Sequence, residues 1–233
     1  MIKEMFKMVQ EKMEKVNAGG IEKLKNGIPH DDVFERIKEM MSHNQLIPGQ
    51  KIIYQDLATK LNTSITPVVQ ALKRLESYKI VQYSPNKGYM VTEITEGELR
   101  ELYEAREALE IFLLPRIIKN ITPEGIASIR DYFRKQDTLS PNNWILHDWQ
   151  FHLKITAYAR HEVIYHLLDE IIERTHLRYR PQYLGEQRLR DTFKEHREIL
   201  NSLVSGNLKE ARNAVRNHIH HQLDYTIEHI LRL

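Results

Sequence analysis

Apolar residues recur at three- and four-residue intervals through most of this 233-residue chain, giving way to short extended runs only in its first half. Ile2, Met5, Met8, Val9 and Met13 make a first stripe, cut off by Gly19-Gly20 and Asn26-Gly27-Ile28-Pro29, so residues 1–27 read as an N-terminal arm. Val33, Phe34, Ile37, Met40 and Met41 mark a helix that Asp31 or Asp32 caps. A Pro48-Gly49 turn and a short apolar stretch, 51–54, follow. A second helix, 54–61, turns Leu57, Ala58 and Leu61 inward, and Asn62-Thr63 breaks it. The third has Ser64 or Thr66 as N-cap and Pro67 in its first turn, where the missing N–H costs little. Its core face is Val68, Ala71, Leu72 and Leu75. Extended runs at 80–83 and 89–94 flank the turn Ser84-Pro85-Asn86-Lys87-Gly88.

From Thr95 onward every periodic segment is helical. Thr95 and Glu98 form a capping box for a helix over 96–118. Further helices are expected from Pro123 to about residue 136, and over 144–159, 161–176, 186–204 and 208–231. The fold class is therefore mainly α. A winged helix-turn-helix over 28–94 precedes an all-α antiparallel helical bundle over 95–233. In the first, the helix after the turn enters a DNA major groove and the hairpin reaches the backbone or minor groove.

Charge sharpens this division. Residues 50–91 carry six basic side chains against Asp56 and Glu76, whereas 95–233 balance 20 basic with 21 acidic residues and hold ten of the 12 histidines. The chain has no cysteine, which excludes disulfides, thiolate metal sites and a catalytic thiol. No apolar run approaches the roughly 20 residues of a membrane span. The N-terminus lacks a signal-peptide core, so a cytoplasmic location without a membrane partner is expected.

The helix over 144–159 carries Asp148 and His152, four residues apart and therefore on one face. Such a pair is half of a metal site or a polar pair in a core. His196 and His218 stand on two later helices. Enzyme readings fare poorly. His161-Glu162 to His166 resembles a zinc-protease motif, but its histidines are five apart and miss a common face. A di-iron bundle needs two Glu-x-x-His motifs, and only Glu173 with His176 is present. No phosphate loop or nucleophile elbow occurs, so no enzyme is expected.

Pro48-Gly49, Asp56-Leu57-Ala58, Thr66-Pro67-Val68, Ala71-Leu72-Lys73-Arg74-Leu75-Glu76 and Pro85-Asn86-Lys87-Gly88 together resemble the DNA-binding domain of the GntR family of bacterial transcription regulators. Arg106-Glu107-Ala108-Leu109-Glu110, Asp148-Trp149-Gln150-Phe151-His152, Glu195-His196-Arg197-Glu198-Ile199-Leu200 and Ser205-Gly206-Asn207 resemble the FCD effector domain of its FadR subfamily.

The resemblance implies a homodimeric, DNA-binding regulator. A double-stranded operator would meet Gln55, Ser64, Ile65, Thr66, Val69, Gln70, Lys73, Arg74, Lys87 and Gly88. It implies a divalent metal ion (zinc, nickel or similar) on Asp148, His152, His196 and His218, and a small organic acid as effector. Arg106 and Tyr103 would meet that acid, although Arg106 serves equally as a salt-bridge partner of Glu110. Tyr158, Arg174 and Arg178 are weaker candidates for the cavity, and His147 and His221 for the metal. The chain departs from the family where arginines open the recognition helix, because Ile65 and Val69 stand there. That departure also admits a metal- and ligand-binding scaffold with weakened or lost sequence-specific DNA binding.

Overall fold

The structure, a computed structural model, describes residues 30–134, 141–178 and 185–231. The arm read over 1–27 lies outside these residues, as does the stretch 135–140. The described residues form two units, divided between Ile94 and Thr95.

The first unit runs α1 (His30–Ser42), β1 (Lys51–Ile52), α2 (Tyr54–Lys60), α3 (Ile65–Ser77), β2 (Val81–Ser84) and β3 (Gly88–Val91). The three strands form an antiparallel sheet in the order β1-β3-β2, with Val81 opposite Val91 and Lys51 opposite Met90. The apolar stripes converge on one core that includes Ile37, Leu57, Leu61, Val68, Leu72, Leu75, Ile80 and Val91. Each such burial contributes about 1.5–3 kcal/mol over exposure. Residues 174–178 also belong to this unit, with Leu177 in its apolar cluster.

Between α2 and α3 the chain reverses at Asn62, whose φ of 50° is left-handed. Ser64 is the N-cap of α3 in extended conformation, but its hydroxyl makes no capping bond. At the wing tip Gly88 has φ of 82°, and a side chain there would meet open space, so the backbone angle is what calls for glycine. Glu76 at the end of α3 accepts from the Tyr83 N–H (2.9 Å), tying the wing to the recognition helix.

The second unit is helical throughout its described residues: α4 (Glu96–Asn120), α5 (Pro123–Arg134), α6 (Pro141–Ala157), α7 (Glu162–His176, whose last residues group with the first unit), α8 (Glu186–Val204) and α9 (Leu208–Thr226). A π-helical turn, Ile227–Leu231, replaces the last turn expected of α9. Helix α4 packs on α6, α8 and α9, and α8 packs on α5, α6 and α9. The Thr95 hydroxyl accepts from the Glu98 N–H (3.2 Å), the backbone half of the expected capping box. Helix α6 stops at Ala157, short of 159, because Arg160 adopts a left-handed φ of 54°. The buried row of α4 runs Leu99, Leu102, Tyr103, Arg106, Glu110, Leu113, Leu114 and Ile117. Two opposite charges thus sit in the middle of an otherwise largely apolar stripe.

Candidate metal centre and nucleic-acid interface

Three helices of the second unit bring four polar side chains to one point. Asp148 and His152 are a turn apart on α6, His196 lies within the buried row of α8, and His218 within that of α9. All four are buried, at 2% exposure or less, and their ligand atoms lie within 4.8 Å of one another. Asp148 Oδ1 is 3.0 Å from His196 Nε2, 3.6 Å from His218 Nε2 and 3.9 Å from His152 Nε2. The His152 and His218 Nε2 atoms are 3.0 Å apart. The His196 ring stacks on Phe151, with centroids 3.9 Å apart.

Around this cluster stand two carboxylates. Glu110 Oε2 is 2.8 Å from His152 Nδ1, and Glu195 Oε2 is 2.8 Å from His218 Nδ1. Burial works against the charge on Glu110, but His152 and Arg106 outweigh it and bring its pKa down to about 2. Glu195 is likewise opposed by burial and brought to about 2 by His218 and Arg188. An ionised carboxylate only accepts, so each Nδ1 carries the proton it donates. With both Nδ1 atoms so engaged, the Nε2 atoms of His152 and His218 face each other across 3.0 Å, lone pair to lone pair whenever neither carries a proton.

That arrangement is repulsive unless a proton or a cation lies between the two nitrogens. Burial drives the His196 pKa down to about 3 and also lowers that of His218, so protonation of these rings is opposed. Burial opposes the charge of Asp148 too, yet His196, His152 and Arg106 hold its pKa well below the carboxylate range. Asp148, Glu110 and Arg106 together carry one excess negative charge, while Glu195 is matched by Arg188 (2.8 and 2.9 Å). Three imidazoles, one carboxylate and a surplus negative charge fit a divalent cation of the zinc or nickel type.

Arg106 makes both contacts considered for it. Its Nε donates to Glu110 Oε1 (2.7 Å), and its Nη1 lies 3.8 Å from Asp148 Oδ2. Glu110 and Asp148 outweigh the effect of burial and raise its pKa further. Its buried Nη2 makes no hydrogen bond among the described residues. Tyr103 is buried one turn earlier, its ring centroid 5.9 Å from the guanidinium.

The other candidates lie elsewhere. His147 bonds to Tyr132, and burial lowers its pKa to about 4. His221 is exposed and reaches Glu195 with Nδ1 (2.9 Å). The Tyr158 hydroxyl packs where a side chain at position 125 would stand. Arg174 and Arg178 belong with the first unit. Sequence reasoning missed the orienting contacts of Glu195, Arg188 and Gln222. Their one trace in the sequence was Glu195, which directly precedes His196.

On the first unit, Ser64, Ile65, Thr66, Gln70 and Lys73 of the α3 region are exposed, and Val69 is half-buried. Gln55 on α2 and Lys87 on the wing are exposed as well. Arg74 is exposed too, but its guanidinium lies 3.9 Å from the Phe34 ring centroid, on the side of α3 that meets α1. Such a cation–π contact is worth about 0.5–1 kcal/mol at an exposed site and competes with a phosphate.

A winged helix-turn-helix followed by a helical unit with a buried polar centre defines a two-domain DNA-binding architecture. The family description "Bacterial regulatory proteins, gntR family" matches residues 29–91, and "FCD domain" matches 101–221. The chain belongs to the GntR family, among its members with an FCD domain, and is a transcriptional regulator. It is 28% identical over 176 residues to the HTH-type transcriptional regulator McbR of Escherichia coli, covering 72% of this chain and 77% of McbR. It is 27% identical over 184 residues to the Nta operon transcriptional regulator of Aminobacter aminovorans, covering 78% and 86%. The solved structure of E. coli McbR/YncC superposes with a TM-score of 0.75 at 22% identity, covering 85% of this chain and 97% of that one. These relatives are regulators, not enzymes. No described helix is long and apolar enough to cross a membrane.

Proposed function

We propose that this regulator is controlled by a small organic acid received at a metal centre in its helical domain, and that it binds its operator as a homodimer. Asp148, His152, His196 and His218 would hold the ion, which when bound would supply Lewis-acid anchoring for the acid's carboxylate. The observation that carries this reading is the pair of facing Nε2 atoms, each ring pinned by its own carboxylate through Nδ1. Glu110 and Glu195 fix the tautomer and orientation of the rings. Arg106 supplies a fixed positive charge, with its Nη2 left to donate to a carboxylate oxygen. In the other domain, Lys73 and Lys87 meet phosphates while the first turns of α3 face the bases. A coupling of about 1–3 kcal/mol between the two sites suffices for regulation.

Metal analysis of the purified chain beside Asp148→Asn and His196→Ala tests the centre. About one ion per chain is expected, and its loss in both variants. Unchanged metal content in the variants rejects the assignment. Fluorescence anisotropy with the chain's own upstream DNA tests the other half, and Lys73→Ala is expected to reduce the logarithmic salt slope by about 1.

A further inference from the structure

We propose that Ile65 reads the 5-methyl group of thymine, so that each operator half-site places an A·T pair under the first turn of α3. This rests on the DNA-binding half of the reading above and adds the chemistry of the base it selects.

From Ser64 to Leu72 the reading helix carries no charged residue. Its accessible groups there are the hydroxyls of Ser64 and Thr66, the amide of Gln70, and the methyl groups of Ile65, Thr66 and Val69. Guanine is most often read by a bidentate Arg or Lys, and the cytosine amino group by a carboxylate. Neither type stands in the first two turns. Lys73 comes two turns in, and Arg74 is drawn onto Phe34. The one apolar group that the major groove offers is the thymine methyl.

Ile65 has no role in the fold that explains it. It is the first residue of α3 and remains 44% exposed, while the core face is made by Val68, Ala71, Leu72 and Leu75. A β-branched side chain loses rotamer freedom in a helix and here recovers little through burial. A lone exposed isoleucine is unremarkable on a protein surface. This one stands in the N-terminal turn of the groove-entering helix, where base edges are met. Val69 lies one turn along the same row and can close the far side of a methyl contact. Gln70, on the adjacent row, has the amide geometry that pairs with adenine.

The test begins with selection of a random-sequence duplex library by the full-length chain. The selected duplex is then synthesised with deoxyuridine in place of thymidine at single positions, which deletes the methyl and nothing else. At one position per half-site, uridine is expected to weaken binding about fourfold, the value of one buried methyl. Ile65→Ala should lose a similar factor on the thymine duplex and bind both duplexes alike. Its unfolding temperature, unchanged because the side chain is exposed, verifies the fold. Ile65→Arg should move selection toward guanine. Equal binding of both duplexes by the wild-type chain overturns the inference, as does an undiminished uridine penalty in Ile65→Ala. Enrichment of G·C half-sites overturns it while leaving DNA binding intact. Failure to enrich any sequence removes the DNA-binding reading itself, and this inference with it.

Discussion

Glu195→Gln separates an orienting role from a merely structural one. The carboxylate receives four donors: His218 Nδ1 (2.8 Å), His221 Nδ1 (2.9 Å) and the two Arg188 Nη atoms (2.8 and 2.9 Å). Glutamine keeps the shape but offers one acceptor oxygen, and its amino group must face a donor. If the oxygen stays with His218, a charge-assisted bond becomes a neutral one, roughly half as strong. If the amino group takes that place, the ring is pushed toward the other tautomer, with a proton on Nε2 where a lone pair is needed. Either way the ligand weakens, and loss of such an outer contact costs about 10- to 100-fold in metal affinity. That is about 1.4–2.7 kcal/mol. The fold suffers too, since Arg188 loses a paired carboxylate but keeps Gln222 Oε1 at 3.1 Å. A loss of about 1.5–3 kcal/mol is expected from hydrogen bonds to a charged group. The assay is competition for Zn²⁺ against a fluorescent chelator, well below the unfolding temperature, so that only folded protein is titrated. Glu198→Gln, an equal charge change at an exposed position on the same helix, is the control and should leave affinity unchanged. A folded Glu195→Gln that competes within twofold of wild type, or a Glu198→Gln that loses as much, refutes the reasoning.

Stripping the ion with a chelator should lower stability by about 4 kcal/mol when the ion had been present at 1,000 times its Kd, and calorimetry with and without Zn²⁺ reads this. Gly125→Ala places a Cβ against the Tyr158 hydroxyl and 2.5 Å from its ring carbon Cζ. It should cost about 1–3 kcal/mol, with no rescue by Tyr158→Phe because Cζ remains; thermal unfolding of both variants decides. Leu72→Ala empties a site with no exposure in the core of the first unit. It should cost about 2–5 kcal/mol, abolishing DNA binding on warming while metal content, which belongs to the other unit, stays at the wild-type value.

Legibility in the sequence followed the range of each interaction. The core face of α3 was readable as Val68, Ala71, Leu72 and Leu75, and the structure buries these same four. Such a stripe needs only local periodicity. The cap at Thr95 was readable for the same reason. For the bundle cluster, spacing alone gave half a site, Asp148 with His152. Joining His196 and His218 to it took the resemblance, since nothing local says which faces of α8 and α9 meet. Arg74 over Phe34 was invisible, because the contact joins residues 40 positions apart and Arg74 otherwise reads as a solvated helix face. Glu110 and Glu195 resembled ordinary surface charges. Glu110, four residues after Arg106, has the spacing of a solvent-exposed helix pair. Only burial, at 3% and 4% exposure for the two residues, converts that spacing into an internal ion pair that also holds a histidine.

The first turn of α3 and the polar centre of the bundle break the rule of apolar inside and polar outside in opposite directions. In α3 the anomaly is an isoleucine turned outward at a helix start, where a lysine or glutamate would serve the fold as well. In the bundle it is a group of charges and imidazoles turned inward, where leucines would pack at lower desolvation cost. Buried ionic sets of this kind are often matched or surpassed in stability by apolar residues of equal volume, by about 1–4 kcal/mol. Along the core face of α3 and at the Thr95 cap, pattern and capping agree with the observed elements. A consistent sequence with local exceptions concentrates function at the exceptions. The bundle exception is also the more demanding one. Its facing Nε2 atoms need something between them, whereas the isoleucine merely forgoes burial. The proposed metal centre is therefore the part of the molecule whose occupancy should govern stability, and the exposed first turn of the reading helix, unlike its core face, the part that can change with little consequence for the fold.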